Sequence, residues 1–491
     1  MILASAAAAA ELAPPIWSVL PFVGLLLSIA VMPLAIPHFW HHQKNQALVS
    51  FGFAIPAAIF LIFLYDVDLA HLKGGDLVGG EITRDGDQYR VKSPAGTERV
   101  VASADVEDLH EGVGPHALVH SAREYAAFIA LLATLFIVSG GIHLRGSLAG
   151  TPIVNTIVLA IGAVVASFIG TTGAAMLLIR PLLRANETRR DRVHIVIFFI
   201  FIVCNAGGML TPLGDPPLFL GFLKGVPFTW TFRLVGPWAV VNSALLVVFH
   251  VLDQVKLNKE ERERPGAQLE DVQRVKVPLE IQGGINFLYL LGVIAVIFVI
   301  GNYGERIFEG NDLLKEGAQV GGMLLMAALS WLTTSKAIRE ANRFTWAPIL
   351  EVAILFAGIF VTMVPALRLL ELRGAELGVQ HQWQFFWATG ALSSFLDNAP
   401  TYLVFLNLAQ GAGLIPADLH GIQANAFLMA ISCGAVFMGA NTYIGNGPNF
   451  MVKAIAEENG VKMPSFFGYM VWSIAVLIPM FVAVTFLFFK P

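Results

Sequence analysis

Gly207-Gly208-Met209-Leu210-Thr211-Pro212-Leu213-Gly214-Asp215-Pro216-Pro217-Leu218-Phe219 interrupts an apolar run, 194–222, long enough to cross a membrane. Proline removes a donor and clashes one turn back, and glycine adds backbone entropy, so a continuous helix is excluded here. In water the stretch would be a loop. Inside a bilayer, irregular backbone survives only where protein or a water-filled cavity covers it, and a carboxylate at that depth points to function.

The composition puts the stretch in a membrane. Hydrophobic residues make up 56% of the 491 and charged residues 13%, against about 45–50% and about 25% in soluble domains. The mean hydropathy is +0.69. These values define an all-α polytopic membrane protein. The net charge of −4 is spread over alternating loops, which argues against a nucleic-acid partner. Cys204 and Cys433 both lie in apolar segments and read as small hydrophobes.

Ten runs of spanning length fall near 16–37, 47–65, 121–141, 194–222, 229–252, 284–302, 317–335, 347–370, 422–452 and 464–489. Two more, 152–186 and 384–411, break at Gly170-Thr171-Thr172-Gly173 and at Asp397-Asn398-Ala399-Pro400 and suit re-entrant hairpins. Residues 66–118 are polar and acidic. Glu81 to Arg84, a turn at Asp85-Gly86-Asp87, Gln88 to Lys92 and Thr97 to Val101 predict a small β meander, a soluble insertion without evident chemistry. His110, His116 and His120 are irregularly spaced and read as solvated, and His38, His41 and His42 as interfacial. Residues 1–15 read as a tail or the remnant of a secretory signal, from the small-residue run Ala4 to Glu11.

Loops 38–46, 142–150, 180–193, 254–283, 335–347 and 453–462 hold 18 of the Lys and Arg residues, and the opposite side holds 13, six of them at the long insertion. Cytoplasmic loops retain positive charge. The basic side is therefore expected to be the cytoplasm of a bacterium, with the termini and 66–118 outside and 254–283 a cytoplasmic linker.

The two halves repeat. Ser167-Phe168-Ile169-Gly170-Thr171-Thr172-Gly173-Ala174 aligns with Ser394-Phe395-Leu396-Asp397-Asn398-Ala399-Pro400-Thr401, and Thr211 to Phe219 aligns with Thr442-Tyr443-Ile444-Gly445-Asn446-Gly447-Pro448-Asn449-Phe450. Each half, 16–253 and 284–491, has five spans and one hairpin, and an odd count inverts the second copy. That is the plan of a secondary transporter with sites where the broken elements meet. A channel would need a continuous polar pore instead. An enzyme would need a nucleophile with a base or a metal cluster, and neither spacing occurs, so no enzyme and no cofactor is expected.

Asp397, beside Asn398 and Thr401, is the candidate acid for sharing a cation and a proton, since one carboxylate that holds either couples their opposite fluxes. Asp215, Thr171, Thr172, Asn446 and Asn449 are candidate surrounding ligands. Gly170, Gly173, Gly207, Gly208, Gly214, Gly445 and Gly447 are candidate hinges or carbonyl donors. The competing reading is that Asp215 or Asp397 caps a half-helix. Glu351 reads as interfacial, and Arg180 as a positive-inside anchor.

Thr171-Thr172-Gly173-Ala174-Ala175-Met176-Leu177-Leu178-Ile179-Arg180-Pro181, Gly207-Gly208 to Pro217, and Ser393-Ser394-Phe395-Leu396-Asp397-Asn398-Ala399-Pro400-Thr401 resemble the NhaD-type sodium/proton antiporter and arsenite-pump branch of the ion transporter superfamily. The resemblance covers most of the chain outside 66–118, and relatives of this sort are often labelled citrate transporters. It implies the superfamily fold, with a scaffold that dimerises and a transport domain that moves like an elevator. It also implies Na+ (or Li+) exchanged for H+ in the inner membrane, with Na+ and H+ as transported ions. Sodium-coupled citrate or dicarboxylate transport is the alternative and arsenite efflux a third. The carboxylate symporters carry neutral Ser-Asn-Thr at each hairpin tip. This chain has Gly-Thr-Thr-Gly and Asp-Asn-Ala-Pro, a departure that favours cations.

Overall fold

The computed structural model describes residues 12–65, 68–72, 77–86, 88–92, 98–110, 113–146, 148–266 and 278–490. The Ala-rich start and the middle of the 254–283 linker lie outside them. The described chain is mostly helical. Eight helices are long and apolar enough to cross a membrane: Ile16–Ala35, Gln43–Leu64, Gly114–Ser139, Pro152–Ile169, Phe228–Glu263, Ile285–Gly304, Ala347–Leu377 and Phe466–Phe488.

By length and composition, that set differs from the expected ten at four places. The broken runs leave only shorter apolar helices, Val193–Met209 and Ala426–Asn441. Helix Asp312–Thr333 is absent from the eight because its first turns carry Asp312, Lys315 and Glu316. Pro152–Ile169, expected as a half-length arm, is long enough by itself.

The chain forms two compact units, each drawn from both halves of the sequence. The first comprises 12–126, 350–380 and 404–417. Its helices Leu20–Ala35 and Gln43–Ile59 pack together, and Gly24 fits against the Phe53 ring. Outward apolar side chains such as Leu27, Val31, Phe51 and Ile55 suit lipid. Gln46 donates to Glu351 Oε1 at 2.8 Å, so the expected interfacial acid is half-buried and hydrogen-bonded.

The same unit carries a five-stranded antiparallel sheet: Asp68–Leu72 (β1), Leu77–Asp85 (β2), Gln88–Lys92 (β3), Glu98–Ala102 (β4) and Val106–His110 (β5), in the order β4-β3-β2-β1-β5. β1 and β5 add to the three strands read from alternation. Gly86, at φ 62, makes the tight turn between β2 and β3, and Val91 and Val101 form a small core with Ile82 and Val106.

The second unit comprises 127–349, 381–403 and 418–490. Pro152–Ile169 turns at Gly170, whose φ of 80 suits a residue without Cβ, and Thr171–Ala185 folds back against it. A reciprocal amide pair between Asn155 and Asn186, at 2.9 and 2.8 Å, closes the base of this hairpin. Helix Gln382–Phe395 ends at extended Leu396, and Asn398–Gly411 begins two residues on. Asn311, Asn425 and Ser465 cap helix starts with their side chains.

Basic loops of this unit meet at one end. His143–Arg145 pairs with Glu280–Gln282, Arg184 donates to the Leu144 carbonyl, His143 bonds Asn342, and Arg343 pairs with Glu458. Four of the loops grouped by charge counting, 142–150, 180–193, 335–347 and 453–462, are thus tied together with the near end of 254–283.

Candidate functional site

The two breaks share one frame. Helix Val193–Ile202 gives way to a 3-10 turn, Ala206–Met209, before Pro216–Leu223; helix Ala426–Met438 gives way to Gly439–Asn441 before Gly447–Glu458. In each, a threonine hydroxyl donates to the carbonyl of a hairpin serine, Thr211 to Ser167 and Thr442 to Ser394. The same hydroxyls accept from Leu213 N and Ile444 N at 3.1 and 3.2 Å. The serine hydroxyls donate to Gly207 O and Met438 O at 2.6 and 3.1 Å. All these pairs are related by the offsets 227 and 231.

Both frames close on glycine. A Cβ on Gly214 would sit 2.1 Å from Gly208 O, and one on Gly445 would sit 2.5 Å from Gly439 O. A Cβ on Gly207 would lie 2.7 Å from Ala163 and one on Gly173 2.9 Å from Ser139, whereas Gly447 has open space. Of the candidate glycines, Gly447 alone has no steric reason to be one.

Backbone groups freed by the breaks find partners. Asn242 donates to Ala206 O, Trp238 to Gly207 O and Thr231 to Leu210 O, and in the second break Tyr469 donates to Ala440 O and Ser473 to Asn441 O. Irregular backbone can thus persist where water is scarce.

Between the frames sits Asp215, 1% exposed. It occupies a cap position, φ −144 and ψ 142, yet its side chain makes no cap hydrogen bond. Its carboxylate instead accepts from Thr171 Oγ1 at 3.1 Å, Asn446 Nδ2 at 3.1 Å and Asn398 Nδ2 at 2.6 Å. The first hairpin tip, the second hairpin tip and the second break each supply one donor.

Buried Asn205, which sequence reasoning missed, fixes the amides behind this acid. Its two N–H groups go to Ile200 O and Asn449 Oδ1, both at 2.8 Å, so its Oδ1 must accept. Asn446 Nδ2 then faces three oxygens, Cys204 O at 3.0 Å, Asn205 Oδ1 at 3.3 Å and Asp215 Oδ1 at 3.1 Å, with two hydrogens to give. The Oδ1 of fully buried Asn398 has no hydrogen-bond partner among the described residues. Asn446 thus has three acceptors for two hydrogens, and the Asn398 oxygen stands open beside the carboxylate. The signal for Asn205 was a lone amide in an apolar run; aligning the halves hides it, because its counterpart is Val436.

Asp397 lies elsewhere in this arrangement. It is half-buried, and its Oδ1 accepts from Ala399 N at 3.0 Å, a cap bond at the start of Asn398–Gly411. Thr401 turns back to the Asp397 carbonyl at 3.0 Å, and half-buried Thr172 makes no hydrogen bond among the described residues. Asn449 donates to Gly439 O and Thr442 O, both at 2.9 Å, and supports the second break. Cys204 and Cys433 are buried and free, and the described residues hold no group of three metal-ligating side chains.

Broken apolar helices around a buried carboxylate, in a chain with eight helices of spanning character, define a membrane transporter. The chain belongs to the family described as "Putative citrate transport", whose model matches residues 11–73 and 101–489. It is also 24% identical over 306 residues to an uncharacterized transporter of Synechocystis sp.. That match spans 58% of this chain and 64% of the relative, so just under two thirds of the relative's length is covered.

Proposed function

We propose that this protein is a secondary active transporter that exchanges Na+ (or Li+) for H+ at Asp215 by alternating access. The observation that carries the reading is a fully buried carboxylate whose partners among the described residues are all neutral, with the open Asn398 oxygen beside it. An uncompensated buried charge is costly. Either a proton on Asp215 or a small cation among Asp215, Asn398 Oδ1, Asn205 Oδ1 and Cys204 O supplies the missing positive charge, and hard oxygens suit alkali ions. The two cannot be held together, which is the condition for exchange. Coupling is thereby assigned to Asp215, with Asp397 as a second acid that orders the neighbouring tip.

The matched hydrogen bonds of the two breaks support an inverted repeat of the ion transporter type, with hairpins 152–186 and 384–411 and broken spans 194–222 and 422–452. The tied basic loops support a common cytoplasmic end, with the termini and 66–118 outside; a homodimer in the bacterial inner membrane is the working form that the resemblance implies. In everted vesicles carrying a preformed pH gradient, Na+ or Li+ is expected to collapse the gradient. The apparent Km for Na+ should rise by up to about tenfold per unit of acidification where proton and cation compete. An inert gradient overturns the reading. The family description favours a second reading, sodium-coupled citrate or dicarboxylate transport, which predicts Na+-dependent accumulation of labelled citrate.

A further inference from the structure

Two arginines of the second unit are buried, and the fold answers both. Arg189 donates to Asp253 Oδ1 at 2.7 Å and to Gly150 O at 2.9 Å, in a buried cluster where His194 and Asn155 bond the same aspartate. Arg339 donates to Ile137 O at 2.9 Å and Ser330 O at 3.0 Å and lies 4.6 Å over the Trp331 ring. Arg180, half-buried on helix Thr171–Ala185, differs: it makes no hydrogen bond or ion pair among the described residues, and its Nε is shielded from water. A desolvated cation without a partner is costly.

Residues 172, 176, 180 and 184 recur every fourth position and so share one face of their helix. Thr172, Met176 and Arg180 are half-buried and Arg184 is exposed, whereas Ala175, Ile179 and Leu182 beside them are buried. This open stripe starts at the hairpin tip, next to the Thr171 that bonds Asp215, and ends among the basic loops, where Arg184 donates to Leu144 O at 3.3 Å. Arg180 sits about 6 Å inward of Arg184 along the helix. An anchoring cation keeps its head in water, which Arg184 does and the Nε of Arg180 does not.

The charges that act on Arg180 are Arg343, Glu458 and Arg184. Glu458, at the end of helix Gly447–Glu458, lies 3.8 Å from Arg343, so that acid is already engaged. Arg343 itself follows helix Lys336–Ala341 at φ 52, a left-handed position where glycine is the easiest residue, so a cation stands there against the backbone preference. Arg192 brings another cation to the end of Gly447–Glu458, its Nη2 3.9 Å from the point that a Gly460 Cβ would occupy, and Lys453 on that helix pairs with Glu457 at 2.9 Å. Arg180, Arg184 and Arg343 thus share the one acid Glu458. A guanidinium edge with a free Nε is the fork that takes two oxygens of a carboxylate or phosphate side by side.

We propose that Arg180, with Arg184 and Arg343 in electrostatic reach, forms a binding site for an oxyanion, a carboxylate or phosphate group. Held there, the anion ties the arm Thr171–Ala185 to the loop 335–347 and relieves the repulsion among the three guanidinium groups. Two sources carry this chemistry: the headgroup phosphate of an anionic lipid, which basic pockets at a cytoplasmic end attract, and a dissolved anion. The site is separate from Asp215 and stands whichever ion the protein carries.

The test follows thermal melting of the full-length protein in a neutral detergent. One arm adds inorganic phosphate against chloride at equal ionic strength, and the other adds phosphatidylglycerol against phosphatidylcholine. At about ten times its Kd, the bound anion should raise the wild-type melting temperature by roughly 2 °C over its control. Arg180→Gln should lose that shift, and Arg180→Lys, which keeps the charge without the fork, should raise the apparent Kd by about fivefold or more. Arg373→Gln, which removes a cation of the first unit paired with Glu376, should respond as the wild type does. A response to phosphatidylglycerol alone assigns the site to lipid, and a response to phosphate alone assigns it to a dissolved anion. A wild type indifferent to both, a full response in Arg180→Gln, or an equal loss in Arg373→Gln overturns the proposal. If Arg180→Gln does not fold, an unchanged Kd in Arg180→Lys overturns it.

Discussion

The breaks at 207–219 and 439–450 are built on the same serine, threonine and glycine hydrogen bonds, yet the first presents Asp215 to the interior and the second presents Asn446. The shared part is backbone satisfaction, which any broken helix at membrane depth requires. The unequal part is charge. One acid held by two amides and a hydroxyl can exchange a proton for a cation, whereas two acids in contact would repel and two amides would hold neither. In the proposed reading, the asymmetry between the two breaks is where the chemistry sits, and their shared hydrogen bonds are scaffolding.

The sharpest way to break this comparison is to make the copies alike. Asp215→Asn should reduce the cation-evoked collapse of the pH gradient to the background of vesicles without the protein, while expression and melting stay near wild type because a buried charge has been removed. Retained exchange in that variant would mean that the asymmetry is decorative. Next comes the frame itself. Gly214→Ala forces a Cβ to 2.1 Å from Gly208 O and should lower the melting temperature and the folded yield, while Gly447→Ala, with open space around it, should stay within about 0.5 kcal/mol of wild type. Equal melting of the two would show that the tight glycine contact carries no weight. The smallest effect is expected at the hairpin. Asn caps a helix about as well as Asp, so Asp397→Asn should change stability by less than about 0.5 kcal/mol. Transport in that variant should also persist, and its loss to background would return the coupling role to Asp397.

The stretch from Gly207 to Phe219 was legible because glycine, proline and a carboxylate in an apolar run have few uses in lipid. Hairpin breaks, the acid pair and the residues of the second copy followed from the same reasoning. What remained hidden has a common cause: Asp215 and Asp397 look alike in a sequence, since both precede a half-helix and either can cap it. Whether the carboxylate turns to its own backbone N–H, as Asp397 does to Ala399, or away to Thr171, Asn398 and Asn446, is set by segments far apart in the chain.

Asn205 and the Asp253 cluster escaped for a related reason. A single polar residue inside an apolar helix declares its cost in the sequence but not its partner. Arg189, His194 and Asp253 read as loop and helix residues until folding buries them side by side. The sequence by itself determined the membrane setting, the broken elements and their duplication, because those depend on hydropathy, backbone chemistry and spacing along the chain. Only the tertiary structure decided which acid is surrounded by donors and which ends a helix, because hydrogen-bond direction depends on what stands opposite a side chain in space.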